Sequence, residues 1–317
     1  MDDILGHEKI RVHLDSLARH DALSHAYCFV GPEQIGKKSV ALDLAGTLLA
    51  IPVASLAIHP DMHFVKRGLN KKTGKTKKHI DIDQIREMIH SISRHPMYKG
   101  GYKIAIIDNA HLLSAAASNA LLKTLEEPRG KTCIFLVTHD QSALLATIRS
   151  RVTDIFFSPV PAIQIQKMLV DRGFDPEQST EMARVSLGKP GRALEWAGDM
   201  SIYDAYKENV HTFVSLFDKS FHEKRAAISE MFGDKTDHIA ARQLIDARLQ
   251  LWQLLARDIY LTQIGSSASA HYLDSPPRVS AGQLLHIQAE IEQARRYITK
   301  NVHPQLLIDH ILLAIGT

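Results

Sequence analysis

The segment Gly31-Pro32-Glu33-Gln34-Ile35-Gly36-Lys37 constrains this chain more than any other. It follows the apolar run Tyr27-Cys28-Phe29-Val30 and opens into an apolar helical stretch holding Ala41, Leu42, Leu44, Ala45 and Leu48. A GxxxxGK sequence set between a buried strand and a helix wraps backbone N–H groups and a helix N-terminus around a phosphate, and its lysine reaches the outer oxygens. Such a loop requires a parallel sheet covered by helices, and the first half of the chain supplies one. Met62-His63-Phe64-Val65, Ile104-Ala105-Ile106-Ile107 and Ile134-Phe135-Leu136-Val137 are further short apolar runs separated by helical patterns. Each ends in polar or glycine residues, as strand ends do where they meet a ligand crevice. The expected class is an α/β P-loop fold, with Gly31, Gly36, Lys37 and Asp108 as its nucleotide-site residues.

Two positions depart from what phosphate hydrolysis needs. The residue after the P-loop lysine should offer a Ser or Thr hydroxyl to Mg²⁺, and here it is Lys38, which has no lone pair to give. Ser39 cannot substitute, because one step along a helix turns a side chain by about 100°. Asp108 ends the third apolar run, and the next position, where a glutamate would activate water, is Asn109. An amide cannot take up that proton. The residues therefore predict a chain without intrinsic ATPase activity, holding ATP or ADP weakly through Lys37 and requiring no cofactor.

After Phe157-Ser158-Pro159-Val160-Pro161 the pattern turns helical, without a credible strand. Asp171-Arg172-Gly173 and Leu187-Gly188-Lys189-Pro190-Gly191 read as helix stops with glycine at the left-handed cap. Farther on, Leu244, Ala247, Leu251, Leu254, Leu255 and Ile259 have the spacing of a long amphipathic helix, and Gly265 to Pro277 reads as a loop. The division expected is 1–158, a P-loop domain; 159–202, a small helical domain; and 203–317, an all-helical domain. A length of 317 residues suits more than one core.

Composition excludes several classes. A net charge of +3 is too small to mark nucleic-acid binding by itself. The run from Lys66 to Lys78 holds seven Lys/Arg without an aromatic and reads as a solvated turn between elements. Cys28 and Cys133 each sit in an apolar run without a CxxC companion, and the 18 histidines are scattered, so neither zinc nor another metal is expected. No apolar stretch reaches the roughly 20 residues of a membrane span. The start, Met1-Asp2-Asp3-Ile4-Leu5-Gly6, lacks a leader's pattern, so a cytoplasmic protein with no membrane partner is expected.

One further segment, Ser118-Asn119-Ala120-Leu121-Leu122-Lys123-Thr124-Leu125-Glu126-Glu127-Pro128, closely resembles bacterial clamp-loader subunits of the AAA+ family, the delta-prime and gamma/tau proteins of DNA polymerase III. Supporting pieces stand in family order: Leu5-Gly6-His7, Ser24-His25-Ala26-Tyr27, His59-Pro60-Asp61, Ile82-Asp83-Gln84-Ile85-Arg86, Ile148-Arg149-Ser150-Arg151-Val152, Gly188 to Leu194, and Asn301-Val302-His303-Pro304. The resemblance implies an AAA+ domain, a helical lid and a helical collar, in a ring with gamma/tau and delta subunits that acts on a sliding clamp and primer-template DNA. Gamma-like motors keep the hydroxyl and the glutamate missing here, so the departures resemble the delta-prime side of the family. Many members also carry a four-cysteine zinc module where Ile51 to Ile58 stands without cysteine.

By the same resemblance, Arg151 occupies the place of an arginine that reaches the ATP of the adjacent subunit, and Lys123 that of a second residue facing it. A guanidinium suits this role because it stays charged and grips phosphate bidentately. Val152 replaces the family's cysteine at similar volume. Thr138 and His139 fall at the sensor-1 position, and Gly191, beside Arg192, at the sensor-2 arginine position. Two other functions compete: a divergent gamma/tau-like ATPase using Ser39 and another base, and a AAA+ DNA-binding or repair module without polymerase partners.

Overall fold

A computed structural model describes residues 4–69, 74, 76–98, 100–229, 238–266, 276–298, 300 and 302–316. Met1, Asp2 and Asp3, the tip of the basic run (Asn70 to Thr73 and Lys75), most of the Gly265 to Pro277 segment, and Asn301 lie outside the described residues. Internal contacts divide the chain into two units, Met1–Leu194 and Glu195–Thr317.

The first unit is built on five parallel strands: β1 (Ala26–Val30), β2 (Met62–Val65), β3 (Lys103–Asp108), β4 (Thr132–Thr138) and β5 (Thr153–Phe156). Their order is β2-β3-β4-β1-β5. The three inner strands are buried almost throughout, which is why they read as unbroken apolar runs rather than alternating ones. β5 escapes that reading because it is a four-residue edge strand whose Thr153, Asp154 and Phe156 are exposed.

Helices cover both faces of the sheet. On one side α1 (Glu8–Arg19) and α2 (Lys37–Leu49) bury Leu14, Val40 and Leu44 against Tyr27, Phe29 and Phe135. On the other, α3 (Ile82–Ile92) and α4 (Ala115–Glu126), with the short α5 (Ala146–Arg149), bury Ile85, Met88, Leu121, Leu125 and Ile148. α3 starts at a capping box in which Asp81 and Gln84 satisfy each other's backbone N–H groups. The ends of the basic run return on themselves, with Leu69 bridged to Thr76 and Lys77 N–H donating to the Gly68 carbonyl at 2.9 Å.

His59-Pro60-Asp61 also has a structural task. Asp61 and Lys103 form a buried ion pair at 2.6 Å, and the second Asp61 oxygen accepts the Met97 N–H at 2.8 Å. This ties the start of β2 to the start of β3 and to the loop before β3.

After β5 come α6 (Ala162–Asp171), α7 (Pro176–Val185) and α8 (Pro190–Gly198). The turn before α8 depends on Gly188, whose φ is 74°. A Cβ there would lie 2.5 Å from Pro159 Cβ and 2.9 Å from the Val160 carbonyl.

The second unit is helical: α9 (Met200–Ser215), α10 (Phe221–Ala227), α11 (His238–Gln263), α12 (Ala281–Ile298) and α13 (Pro304–Ile315). The buried stripe of α11 is Ile245, Leu249, Trp252, Leu255, Ala256 and Ile259. The spacing expected from sequence shares Leu255 and Ile259 with it, but Leu244 and Ala247 are exposed. Trp252 decides the register, since the largest apolar side chain gains most from burial and packs on Phe213 with ring centroids 5.2 Å apart.

Candidate nucleotide site

The pairing register aligns the ends of β1, β3 and β4: Val30 lies opposite Thr138, and Asp108 opposite Val137. The P-loop leaves β1 at this edge, next to the point where the strand order reverses. A cleft of about 410 Å³ lies there. Its walls include apolar Ile4, Leu5, Met168 and Leu194, and polar Lys37, Lys38, Asp108, Thr138 and His139. A groove of about 460 Å³ along α1 and β5 contains none of the residues expected to carry chemistry.

Within the loop, Gln34 (φ 59°) and Gly36 (φ 111°) adopt left-handed backbone, and α2 begins at Lys37. Lys37 is only 6% exposed, and its ammonium donates to the carbonyls of Gly31 and Pro32, both at 2.5 Å. Burial pulls its pKa down to about 8, against the opposing pull of Glu33 and Asp108. His7 and Ile35 brace the loop from the N-terminal segment, with His7 Nε2 3.0 Å from the Ile35 carbonyl. From α8, Gly191 N–H donates to the Gln34 carbonyl at 2.9 Å, and Arg192 Nε to Gln34 Oε1 at 3.3 Å.

Lys38 points at the carboxylate that would otherwise serve a metal. Its Nζ is 3.6 Å from Asp108 Oδ2 and 4.6 Å from the centre of the Phe64 ring. Asn109 follows in left-handed backbone, with φ 58° and ψ 51°, as the cap of a short turn over Ala110–Leu112. Ser39 is exposed one position beyond Lys38.

Three residues that the sequence did not connect gather beside these. Glu33 Oε1 lies 3.0 Å from His139 Nδ1, and the His139 and His111 rings are 4.0 Å apart between centroids. His111 Nδ1 is 3.3 Å from Thr138 Oγ1. The His139 hydrogen bond, with the charge of His139 and of nearby basic groups, holds Glu33 down to about 2. Burial, reinforced by His139, lowers His111 to about 4. Among the described residues, no group of three or more His, Cys, Asp or Glu is arranged to hold a metal ion.

Gly31, Gly36, Lys37 and Asp108 therefore come together at one sheet edge, with Lys38, Thr138 and His139. Arg151 and Lys123 are not among the residues lining this cleft. Arg151 follows α5 and is half-buried rather than freely exposed: its guanidinium pairs with Glu126 Oε1 at 2.6 Å and donates to the Thr147 carbonyl at 2.8 Å. Lys123 is exposed on α4, one turn before Glu126. Nothing in the spacing of Glu33, His111 and His139 announces their cluster, because it forms only when three strand ends are brought level.

Comparison with known proteins agrees with this arrangement. The family DNA polymerase III, delta subunit, matches residues 6–161. The DNA polymerase III subunit delta' of Bacillus subtilis (strain 168) is 27% identical over 320 residues, spanning 93% of this chain and 92% of the relative. A solved gamma subunit-related protein of DNA polymerase III from Thermotoga maritima aligns over 95% of this chain and 98% of its own, at 19% identity and a TM-score of 0.49. The subunit delta' of Escherichia coli (strain K12) is 30% identical over 269 residues, covering 81% of this chain and 74% of the relative, so this chain belongs to the DNA polymerase III subunit delta' family.

Proposed function

We propose that this chain is the delta-prime-type subunit of a DNA polymerase III clamp loader, a AAA+ member that does not hydrolyse ATP itself and completes the ATP site of a neighbour. The observation that carries the first half is the ion pair between Lys38 and Asp108, with Asn109 at the position of the base. The carboxylate that would orient a metal is occupied by a fixed ammonium, and the adjacent side chain cannot accept a proton. Family membership supports the second half, in which Arg151, with Lys123 on the adjoining helix, faces the nucleotide of the next subunit. An arginine offered in trans stabilises charge developing on a transferred phosphoryl group. Residues 1–158 would form the AAA+ domain, 159–202 the lid and 203–317 the collar. Partners under this reading are gamma/tau and delta subunits, with the sliding clamp and primer-template DNA engaged through the complex.

The test is to purify the chain, alone and with gamma/tau and delta subunits of its own source, and to measure phosphate release and clamp loading. The isolated chain should release no phosphate from ATP, and omitting it should abolish loading by the remaining subunits. Magnesium-dependent turnover by the isolated chain, lost in Lys37→Ala, would sink the reading in favour of a gamma/tau-like ATPase.

A further inference from the structure

The cleft is suited to phosphate and unsuited to the metal that usually accompanies it. Magnesium needs near-octahedral oxygen ligands at close range, and the two protein groups that would supply or order them are the residue after the P-loop lysine and the carboxylate ending β3. Here the first is an ammonium and the second already carries that ammonium's charge at 3.6 Å. The Phe64 ring, 4.6 Å from the same Nζ, gives Lys38 a second anchor. A divalent cation beside Asp108 would meet a like charge and find no hydroxyl donor at position 38.

Phosphate, by contrast, finds both shape and charge. Lys37 donates only to carbonyls of its own loop, which a phosphate oxygen can replace with a stronger charge-assisted bond. Lys38 lines the same cleft, so two ammonium groups face it where a motor would present one lysine and a metal. The opposing carboxylate in the loop, Glu33, is turned to His139 at 3.0 Å. The volume of about 410 Å³ lies within the range that small ligands occupy, and Ile4, Leu5, Met168 and Leu194 supply apolar wall for a base.

We infer that Lys38 takes the place of the magnesium ion, so that this cleft binds a nucleoside diphosphate in its metal-free form. The inference rests on the reading that the chain's own site does not hydrolyse ATP. Two lysines suit the three or so charges of a diphosphate better than the four of a triphosphate, because Asp108 and Glu33 offset part of their charge. Bound this way, the nucleotide is a fixed structural ligand with no metal to lead it toward hydrolysis.

The experiment titrates the full chain with ADP, by calorimetry or equilibrium dialysis, once in chelator and once in excess magnesium. ADP should bind in chelator, and magnesium should leave the affinity unchanged or weaken it, because the magnesium complex of ADP must shed its ion to enter. Lys38→Thr, which restores a hydroxyl and removes the ammonium, should bind about tenfold more weakly in chelator and recover when magnesium is added. Lys37→Ala should lose about tenfold or more in both buffers. The inference is overturned by binding that requires or is tightened by magnesium, by absence of ADP binding in both buffers, or by wild-type affinity in Lys37→Ala. If Lys38→Thr does not fold, the paired wild-type titrations decide alone. Failure of the underlying reading appears separately, as phosphate released from ATP, which a titration with ADP does not measure.

Discussion

The Glu126 carboxylate holds the Arg151 guanidinium at 2.6 Å, so the arginine expected to act on a neighbouring subunit is paired within its own. Both side chains are partly exposed, and such pairs are worth about 1 kcal/mol or less. The grip is firm enough to orient the guanidinium and weak enough to exchange for phosphate. In the assembled complex, Arg151→Ala should enter normally while DNA- and clamp-stimulated hydrolysis falls roughly tenfold or more. Arg151→Lys should rescue little, since an ammonium lacks the planar fork, and Arg149→Ala should behave as wild type. Glu126→Gln, which removes a competing charge, should raise stimulated hydrolysis by up to about fivefold. A wild-type loading rate in Arg151→Ala would leave the chain a purely structural member of the ring.

The Asp61–Lys103 pair behaves differently because it is buried, with Asp61 4% and Lys103 6% exposed. Lys103→Met leaves a carboxylate inside the protein with only the Met97 N–H as partner, and should cost about 3–5 kcal/mol. Adding Asp61→Asn to it should return part of that loss. Urea denaturation of the two variants checks this, and equal stabilities would mean that the unpaired charge is not the source of the cost.

Acid should weaken the first unit through His111. Its folded pKa of about 4 lies below the ordinary 6.5, so between these values the unfolded chain takes up a proton that the native state refuses. Stability from this group is fully present above about pH 6.5, declines as pH falls, and levels off below about 4. His111→Gln should flatten that part of the pH profile in thermal melts. An unchanged slope between the two values would assign the acid sensitivity to other groups.

Gly191 is a test of how closely α8 approaches the P-loop. A Cβ there would stand 2.8 Å from the Gln34 carbonyl and 3.3 Å from Gln34 Cα, against backbone that has little room to yield. Gly191→Ala should cost about 1–3 kcal/mol. Hydrogen exchange at the Gly31–Lys37 loop should rise with it, and protection at the wild-type level would show that the contact does not brace the loop.

What the sequence reveals of this protein follows the range of the forces involved. β1, β3 and β4 are buried on both faces, so their residues are apolar without interruption and the P-loop between β1 and α2 could be placed by spacing alone. β5 could not, because an edge strand with Thr153 and Asp154 exposed carries no apolar signature and owes its conformation to pairing with β1. The α11 stripe was found one face out of register at its start, where Leu244 is exposed and Ile245 is buried, since periodicity gives an angle only to within a residue. Lys38 and Asn109 were legible as missing chemistry. That Lys38 meets Asp108, and that Glu33 meets His139, depends on strand ends level in space and far apart in sequence.

Asn109 bears on the history of the site. Its backbone, at φ 58° and ψ 51°, is a conformation that asparagine tolerates and that costs most other residues about 1–2 kcal/mol. A back-mutation to glutamate would thus restore the carboxylate while straining the turn that carries it, and would still find Lys38 paired with Asp108. Each lost group makes the return of the other less useful, and the backbone has settled around the loss. An ancestor with a working centre could drift to this sequence by single steps, whereas the reverse route requires several changes to arrive together.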